Sequence, residues 1–243
     1  MRIPKRLEEN PLLDVIAEIR FSSAIPADTV VGMVYSAVQD LFGAPASLPA
    51  VQIPAPLRDA DPNLKYLALY KFEGKGHYLQ LGPRSVALGT PRPYRDWESV
   101  TPTLKEVLGK LEGIRLFDKI ERTGLRYVNF FEGLNILQHT TLSLEVAGKS
   151  IADQNITVRA EHREQDRFTV ILQLINTAVT EILGARKNGS VLDIDTICEP
   201  LNLSGEKVAE EIYRALTESN QIADNTFFGI VKQDLIEKYK PVY

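Results

Sequence analysis

Cysteine is almost missing from this chain: Cys198 is the one example in 243 residues. A single thiol excludes an internal disulfide framework and a zinc site built on cysteine. Long apolar runs are missing too. None approaches the ~20 residues that a membrane-spanning helix needs. The start, Met1-Arg2-Ile3-Pro4-Lys5-Arg6, lacks the apolar stretch of a secretory signal. The expected place is therefore the cytoplasm, where the sequons at Asn155, Asn188 and Asn202 carry no meaning. Positive charge is not in excess either. Lys plus Arg number 28 against 32 Asp plus Glu, a formal net charge of -4. That balance weighs against a dedicated non-specific DNA binder and leaves room for a local basic groove.

Catalytic signatures are absent as well. There is no His-Glu-x-x-His, no Gly-x-Ser-x-Gly and no Gly-x-Gly-x-x-Gly. Gly184–Ser190 imitates a phosphate loop, but Ser190 stands where the essential lysine belongs. A strand pattern follows it, so the helix N-terminus that would hold phosphate is missing. The histidines are His77, His139 and His162, and no two stand at ligand spacing. No cofactor is expected, and no reaction is legible.

What is present is the raw material of a folded protein, with 44% hydrophobic residues. Leu12–Phe21 alternates as a strand, with Leu13, Val15, Ala17, Ile19 and Phe21 on one face. Thr29–Phe42 carries an apolar stripe at helical spacing. Gly43–Pro62, rich in proline, reads as an extended surface loop. Tyr66–Phe72 and His77–Leu88 read as a hairpin, with a bulge or edge at Gly82-Pro83. A helix capped by Thr101, with Pro102 at its first position, carries Leu104, Val107, Leu108 and Leu111. Phe117–Glu132 then reads as a long strand. This order, β-α-β-β-α-β, is that of a ferredoxin-like unit.

Beyond Leu134 the pattern changes. Thr141–Val146, Asn155–His162, Arg167–Ala178 and Ser190–Ile197 alternate and read as an antiparallel meander. Ser204 is placed as the cap of a helix starting at Glu206 and carrying Val208, Ile212, Ala215 and Leu216. Asp224-Asn225 either breaks that helix or faces solvent. No internal repeat is visible. The expectation is an α+β protein. Its ferredoxin-like half, 1–133, continues into a meander with C-terminal helices, 134–243. No flexible linker separates the halves, so they are expected to share one core.

The informative residues are charged ones on predicted strands. Arg20, Arg84, Arg122 and Arg126 are the candidates for ligand binding, with Glu18, Glu121 and Asn129 beside them. A guanidinium fork suits phosphate or carboxylate. The competing reading is internal pairing with Glu18 and Glu121, since a partly buried arginine must find an anion somewhere. Asp193 and Asp195 share a face, as residues two apart on a strand do. They suit Mg²⁺, or they are plain surface carboxylates over Leu192 and Ile194. Tyr127, Phe130 and Phe131 offer stacking surfaces for RNA or simply fill the core.

Several blocks carry a family resemblance: the Pro11–Phe21 strand, Leu81-Gly82-Pro83-Arg84, the Tyr94–Trp97 segment, Glu121–Asn129 and Leu192-Asp193-Ile194-Asp195. Together they resemble a sporadically distributed bacterial family of uncharacterised proteins of about this length. The Gly124-Leu125-Arg126-Tyr127 block is the most specific part, and Ala17 stands where a bulkier residue is expected. The resemblance implies a bacterial cytoplasmic protein and no catalytic role for any residue. Two functions stay in view. The first is a non-enzymatic accessory protein that docks on a protein partner. The second is an RNA- or nucleotide-phosphate-binding protein, with nuclease activity as one form of it, that uses the strand arginines. Self-association is compatible with either, and no membrane contact is expected.

Overall fold

The computed structural model describes residues 3–201, 203–205 and 207–243. A nine-stranded antiparallel sheet organises the mixed α+β fold. Its strands in chain order are β1 (Leu12–Ser22), β2 (Ala46–Ser47), β3 (Tyr70–Gly74), β4 (His77–Leu81), β5 (Ser85–Pro91), β6 (Lys119–Glu132), β7 (Thr157–Glu164), β8 (Phe168–Ile182) and β9 (Ala185–Cys198). In space they lie as β7-β8-β9-β6-β1-β5-β4-β3-β2. The helices are α1 (Ala27–Val38), α2 (Ala55–Ala60), α3 (Trp97–Gly113), α4 (Val208–Ile230) and α5 (Gln233–Lys238). None of them is long and apolar enough to cross a membrane.

Alternation along the strands decides which face is buried. Val15, Ala17, Ile19 and Phe21 of β1 join Leu125 and Tyr127 of β6 and Leu192 and Ile194 of β9 in one core cluster. Val30, Val34 and Val38 of α1, Leu104 and Leu108 of α3 and Ile212 and Leu216 of α4 complete it. The alternate residues Ile16, Val128 and Ile171 lie outside that cluster. The helices therefore pack on one face of the sheet. Burying it supplies the main driving force, because each buried large apolar side chain contributes about 1.5–3 kcal/mol.

The strand order reads alike from the centre outward. On one side it runs β1-β5-β4-β3, on the other β6-β9-β8-β7. Each side starts with a central strand and ends with a helix, α3 or α4, that returns over the centre. A proline stands two residues beyond the strand that precedes each helix, Pro93 after Pro91 and Pro200 after Cys198. Residue 133 lies just after β6, the strand that opens the second path and pairs with both β1 and β9.

Several sequence expectations need correction. His77–Leu88 is two strands, because Gly82 N–H bonds to Ser85 O (2.8 Å) and turns the chain at Pro83-Arg84. Helix α3 starts at Trp97, not after Thr101. Asp96 accepts from Ser99 N–H and the Ser99 side chain completes a capping box, which leaves Pro102 inside the helix. The proline-rich stretch is not extended. It forms β2, a 3₁₀ turn at Pro49–Gln52 and α2, with prolines in the first turns where their missing N–H costs little. Thr141–Val146 does not join the sheet, and Glu145–Val146 pairs only with Lys149–Ser150. Ser204 does not cap α4, whose N-cap is Lys207 in the left-handed region without a side-chain bond. Glu206, the expected helix start, and Asn202 of the third sequon lie outside the described residues. The C-terminal segment is one helix of 23 residues followed by the short α5.

Candidate functional site

The face of the sheet away from the helices carries the charged residues. Register places Glu18 opposite Gly124, and Arg20 opposite Arg122, across β1 and β6. Arg126 faces Asp195 across β6 and β9, with Asp193 two residues along. The side chains pair among themselves. Glu18 Oε1 accepts from Arg20 Nε at 2.6 Å and from Arg122 Nη2 at 3.3 Å. Arg126 donates from both Nε and Nη2 to Asp193, at 2.5 to 3.0 Å. That bond outweighs the burial cost and raises the Arg126 pKa. A β-bulge between Arg20 and Phe21 leaves Glu121 without a register partner. Its carboxylate accepts from Tyr66 Oη at 2.5 Å, and the Arg20 guanidinium lies 4.4 Å from the Tyr66 ring centre.

Further along the same face, Tyr78 Oη donates to Asp14 at 2.5 Å. The tyrosine ring lies over Gly89, where any Cβ would fall 2.0 Å from it. Burial pushes the Asp14 and Asp195 carboxyls above the usual range, and for Asp195 the charges of Arg122 and Arg126 offset part of that rise. On the three central strands, five carboxylates (Asp14, Glu18, Glu121, Asp193, Asp195) thus meet three guanidinium groups (Arg20, Arg122, Arg126) on this face.

The predicted site residues do not all gather here. Glu18, Arg20, Glu121 and Arg122 form one network, and Arg126 forms a second with Asp193. Arg84 sits in the β4–β5 turn, where its carbonyl accepts from Phe21 N–H (3.0 Å), and it has no ion pair among the described residues. Asn129 is on the other side, buried, donating to Leu192 O at 3.1 Å. Asp193 is not the plain surface carboxylate of the simpler reading, since Arg126 and its neighbours bury it. Among the described residues no group of acidic, histidine or cysteine side chains is arranged to hold a metal. Tyr127, Phe130 and Phe131 are core. His77 bridges Thr90 (2.9 Å) and Thr103 (3.3 Å), and burial lowers its pKa, so it is a structural neutral imidazole.

A second feature escapes sequence reasoning. A cavity of about 510 Å³ opens on the helical side between the N-terminal segment, the Tyr94–Trp97 loop, β6 and α4. Tyr127 Oη donates to Asn220 Oδ1 at 2.5 Å, and Asn220 Nδ2 donates to Asp224 Oδ2 at 3.2 Å. Burial pushes the Asp224 carboxyl up to about 6, with the Asn220 bond pulling the other way. Burial also raises the Tyr94 and Tyr127 phenols, whose rings meet edge to face at 6.1 Å. The signal in the sequence was the spacing of Asn220 and Asp224, four apart at the border of the apolar stripe of α4.

Fold and site together define an α+β protein built as one antiparallel sheet with its helices on a single face. No protein-family model matches the chain, and no curated protein matches it.

Proposed function

We propose that the chain is a non-enzymatic accessory protein that docks on a protein partner through the helix-free face of its sheet. One observation carries this reading: the strand arginines are already neutralised by carboxylates of the same face. A surface for a phosphate backbone needs uncompensated positive charge, because affinity comes from displacing counterions. Here the five carboxylates that this face gathers on the central strands outnumber its three arginines. Ile16, Val128 and Ile171, partly exposed between the ion pairs, give the mixture of apolar and charged groups that protein interfaces use. The partner is a surface of like composition, with basic groups set against Asp14 and Asp195.

The strand order β6-β1-β5-β4, with α1 and α3 as connections, supports reading the first half as a ferredoxin-like unit with an added hairpin strand. The Gly124–Tyr127 resemblance supports a bacterial cytoplasmic setting.

A photo-crosslinking residue at Gln173, on the helix-free face, tests the docking. In cells of the source organism it is expected to trap one protein reproducibly, while the same residue at Arg214, exposed on α4, traps none. Adducts from Arg214 alone would sink the reading. So would tight, salt-dependent binding of a single-stranded RNA that Arg126→Ala abolishes.

A further inference from the structure

The two edges of the sheet are finished differently. One ends on β2, a strand of two residues. The other ends on β7, which runs for eight residues and has a neighbour on one side only. A long open edge is a template for another strand unless something blunts it. Among the described residues, no helix or loop makes a main-chain hydrogen bond to the outer side of β7. Even the small side chain of Ala160 is exposed there.

The open main-chain groups can be assigned. Asn176 N–H donates to Ile156 O at 3.2 Å, one step before the ladder that pairs Thr157 with Ile175. Bonded and non-bonded pairs alternate along an antiparallel ladder. Val158, Ala160, His162 and Glu164 therefore turn their N–H and C=O toward β8. Thr157, Arg159, Glu161 and Arg163 turn theirs outward. Val158 packs on the core, so the side chains of Arg159, Glu161 and Arg163 lie on the helix-free face.

We propose that β7 pairs antiparallel with β7 of a second copy of this chain, about a two-fold axis at Ala160. Outward groups of one strand must meet outward groups of the other, so the axis passes through a residue and not between two. Charge selects which residue. An axis at Arg159, Glu161 or Arg163 sets that side chain against its own copy, and like charges directly opposite are destabilising. An axis at His162 sets Glu161 against Arg163 but leaves Thr157, Val158 and Arg159 opposite the turn that follows the strand. An axis at Ala160 matches the strand end to end. It places Arg159 opposite Glu161 of the second copy, and Glu161 opposite its Arg159, with Thr157 and Arg163 facing in the same way. In the single chain Arg159 and Glu161 pair with each other at 3.3 Å and stay 54% and 53% exposed, so both can reach across. Charges that repel other strands from this edge thus complement one register of the edge itself. The contact is narrow, and its dissociation constant is expected on the order of 10 µM. The central strands stay open, so the pairing is independent of any protein docked on them.

Cys198 is buried, so an introduced thiol reads the register. At the axis, two Ala160→Cys side chains face each other in a non-bonded pair, whose Cα spacing of about 4.5 Å admits a disulfide. Purified Ala160→Cys is expected to oxidise to a covalent dimer. Arg163→Cys, with its two copies roughly 20 Å apart along the strands, is expected to stay monomeric. Sedimentation of the parent chain should show a reversible dimer. Glu161→Pro removes an outward N–H and no bond to β8, and should weaken that dimer about tenfold or more. Arg159→Glu and Glu161→Arg should each weaken it too. An equimolar mixture of those two variants should recover association as a heterodimer, which the pair within one strand cannot explain. Each variant is first matched to the parent's thermal melt. A parent chain still monomeric at about 500 µM overturns the proposal and leaves the edge to a strand of another protein. A dimer that survives Glu161→Pro, or thiols that couple no faster at position 160 than at 163, also overturns it. None of these readouts involves a host protein, so they fail or hold apart from the docking reading.

Discussion

The two halves of the sheet follow one path, yet only the first has a helical roof over its outer strands. Beyond β1, the outer strands are roofed by α1, and Phe72 of β3 is fully buried, stacked on Tyr35 at 6.3 Å. Beyond β6, the place of α1 is taken by a single 3₁₀ turn, Ile136–His139. Strand β7 is exposed along its length except at Val158. The β8–β9 hairpin then runs past the helices to a tip where Leu183 is 102% exposed. The sheet ladder alone is therefore enough to build strands, and stability follows the helical roof rather than the hydrogen bonds.

Truncation at matched outer strands tests that contrast most directly. Phe72→Ala is expected to cost about 3–5 kcal/mol, since it empties a site with no room to collapse. Val158→Ala is expected to cost less than about 1 kcal/mol, in line with a partly exposed side chain. Urea midpoints at constant m-value would measure both. Equal losses would show that the second half is as tightly roofed as the first.

The next largest effect separates the two ion-pair networks. Glu18 serves two arginines, so Glu18→Gln leaves Arg20 and Arg122 facing each other without the carboxylate that both bond. We expect a loss of about 2 kcal/mol, below the figure for fully buried pairs because all three side chains keep some solvent contact. Arg126→Ala removes a guanidinium that is 48% exposed from a carboxylate that is 10% exposed. Its cost is about 1 kcal/mol and shrinks in 1 M salt. If both variants behave alike, the clustering of charge around Glu18 has no energetic meaning.

Much of this was legible in the sequence where one face of an element is apolar and the other is not. β1, β6 and the α4 stripe follow from alternation or helical spacing, and Asp193 shares its face with Asp195 as a two-residue spacing requires. The sequence singled out seven charged or polar strand residues as one group; Glu18, Arg20, Glu121 and Arg122 meet in one network, Arg126 pairs with Asp193, and Arg84 and Asn129 stand apart. What stayed hidden depends on contacts between distant segments. The burial of Asp193 needs Arg126 from another strand. Asn129 looked like a companion of the arginines, but it stands three residues from Arg126, and strand alternation puts it on the opposite face, under the helices. The 3₁₀ turn and α2 were hidden by prolines, which disfavour a helix interior and are welcome in its first turn. The halves' common strand order was invisible because no side-chain pattern repeats with it.

The two returning helices differ in their polar groups, and pH exposes one of them. The buried residues of α3 are all apolar, whereas α4 carries the buried Ser219 and, one turn further on, the partly buried Asp224. The folded-state pKa of Asp224 is raised from 3.8 to about 6. Below about pH 4 both states are protonated and the group is neutral to folding. As pH rises through about 6, the folded state must ionise a desolvated carboxyl that the unfolded state ionised earlier. Stability is therefore lost across that window and stays lower above it. Asp224→Asn keeps the acceptor for Asn220 and removes this cost, so it should stabilise by about 1.5 kcal/mol at pH 7.5. The gain should vanish at pH 4. A gain that is flat with pH would mean that the carboxyl is not the source.

The smallest effect lies at the far end of the second half. The β8–β9 ladder slips register between Ile175 and Ala178, and beyond that point the strands are largely exposed on both faces. Leu183 there buries nothing, so Leu183→Lys should change stability by less than about 0.5 kcal/mol. Amide exchange should show the same boundary. Protection is expected along Phe168–Leu174, whose alternate residues face the core, and to fall away from Ala178 to Glu181, where only the partner strand holds the chain. A tip as protected as the core would mean that the hairpin is stiffened from outside, by a second copy or a partner lying along it. Were Leu183→Lys then to dissolve a dimer seen by light scattering, the unroofed half would be an interface in its own right, and the contrast between the halves would exist only in the isolated chain.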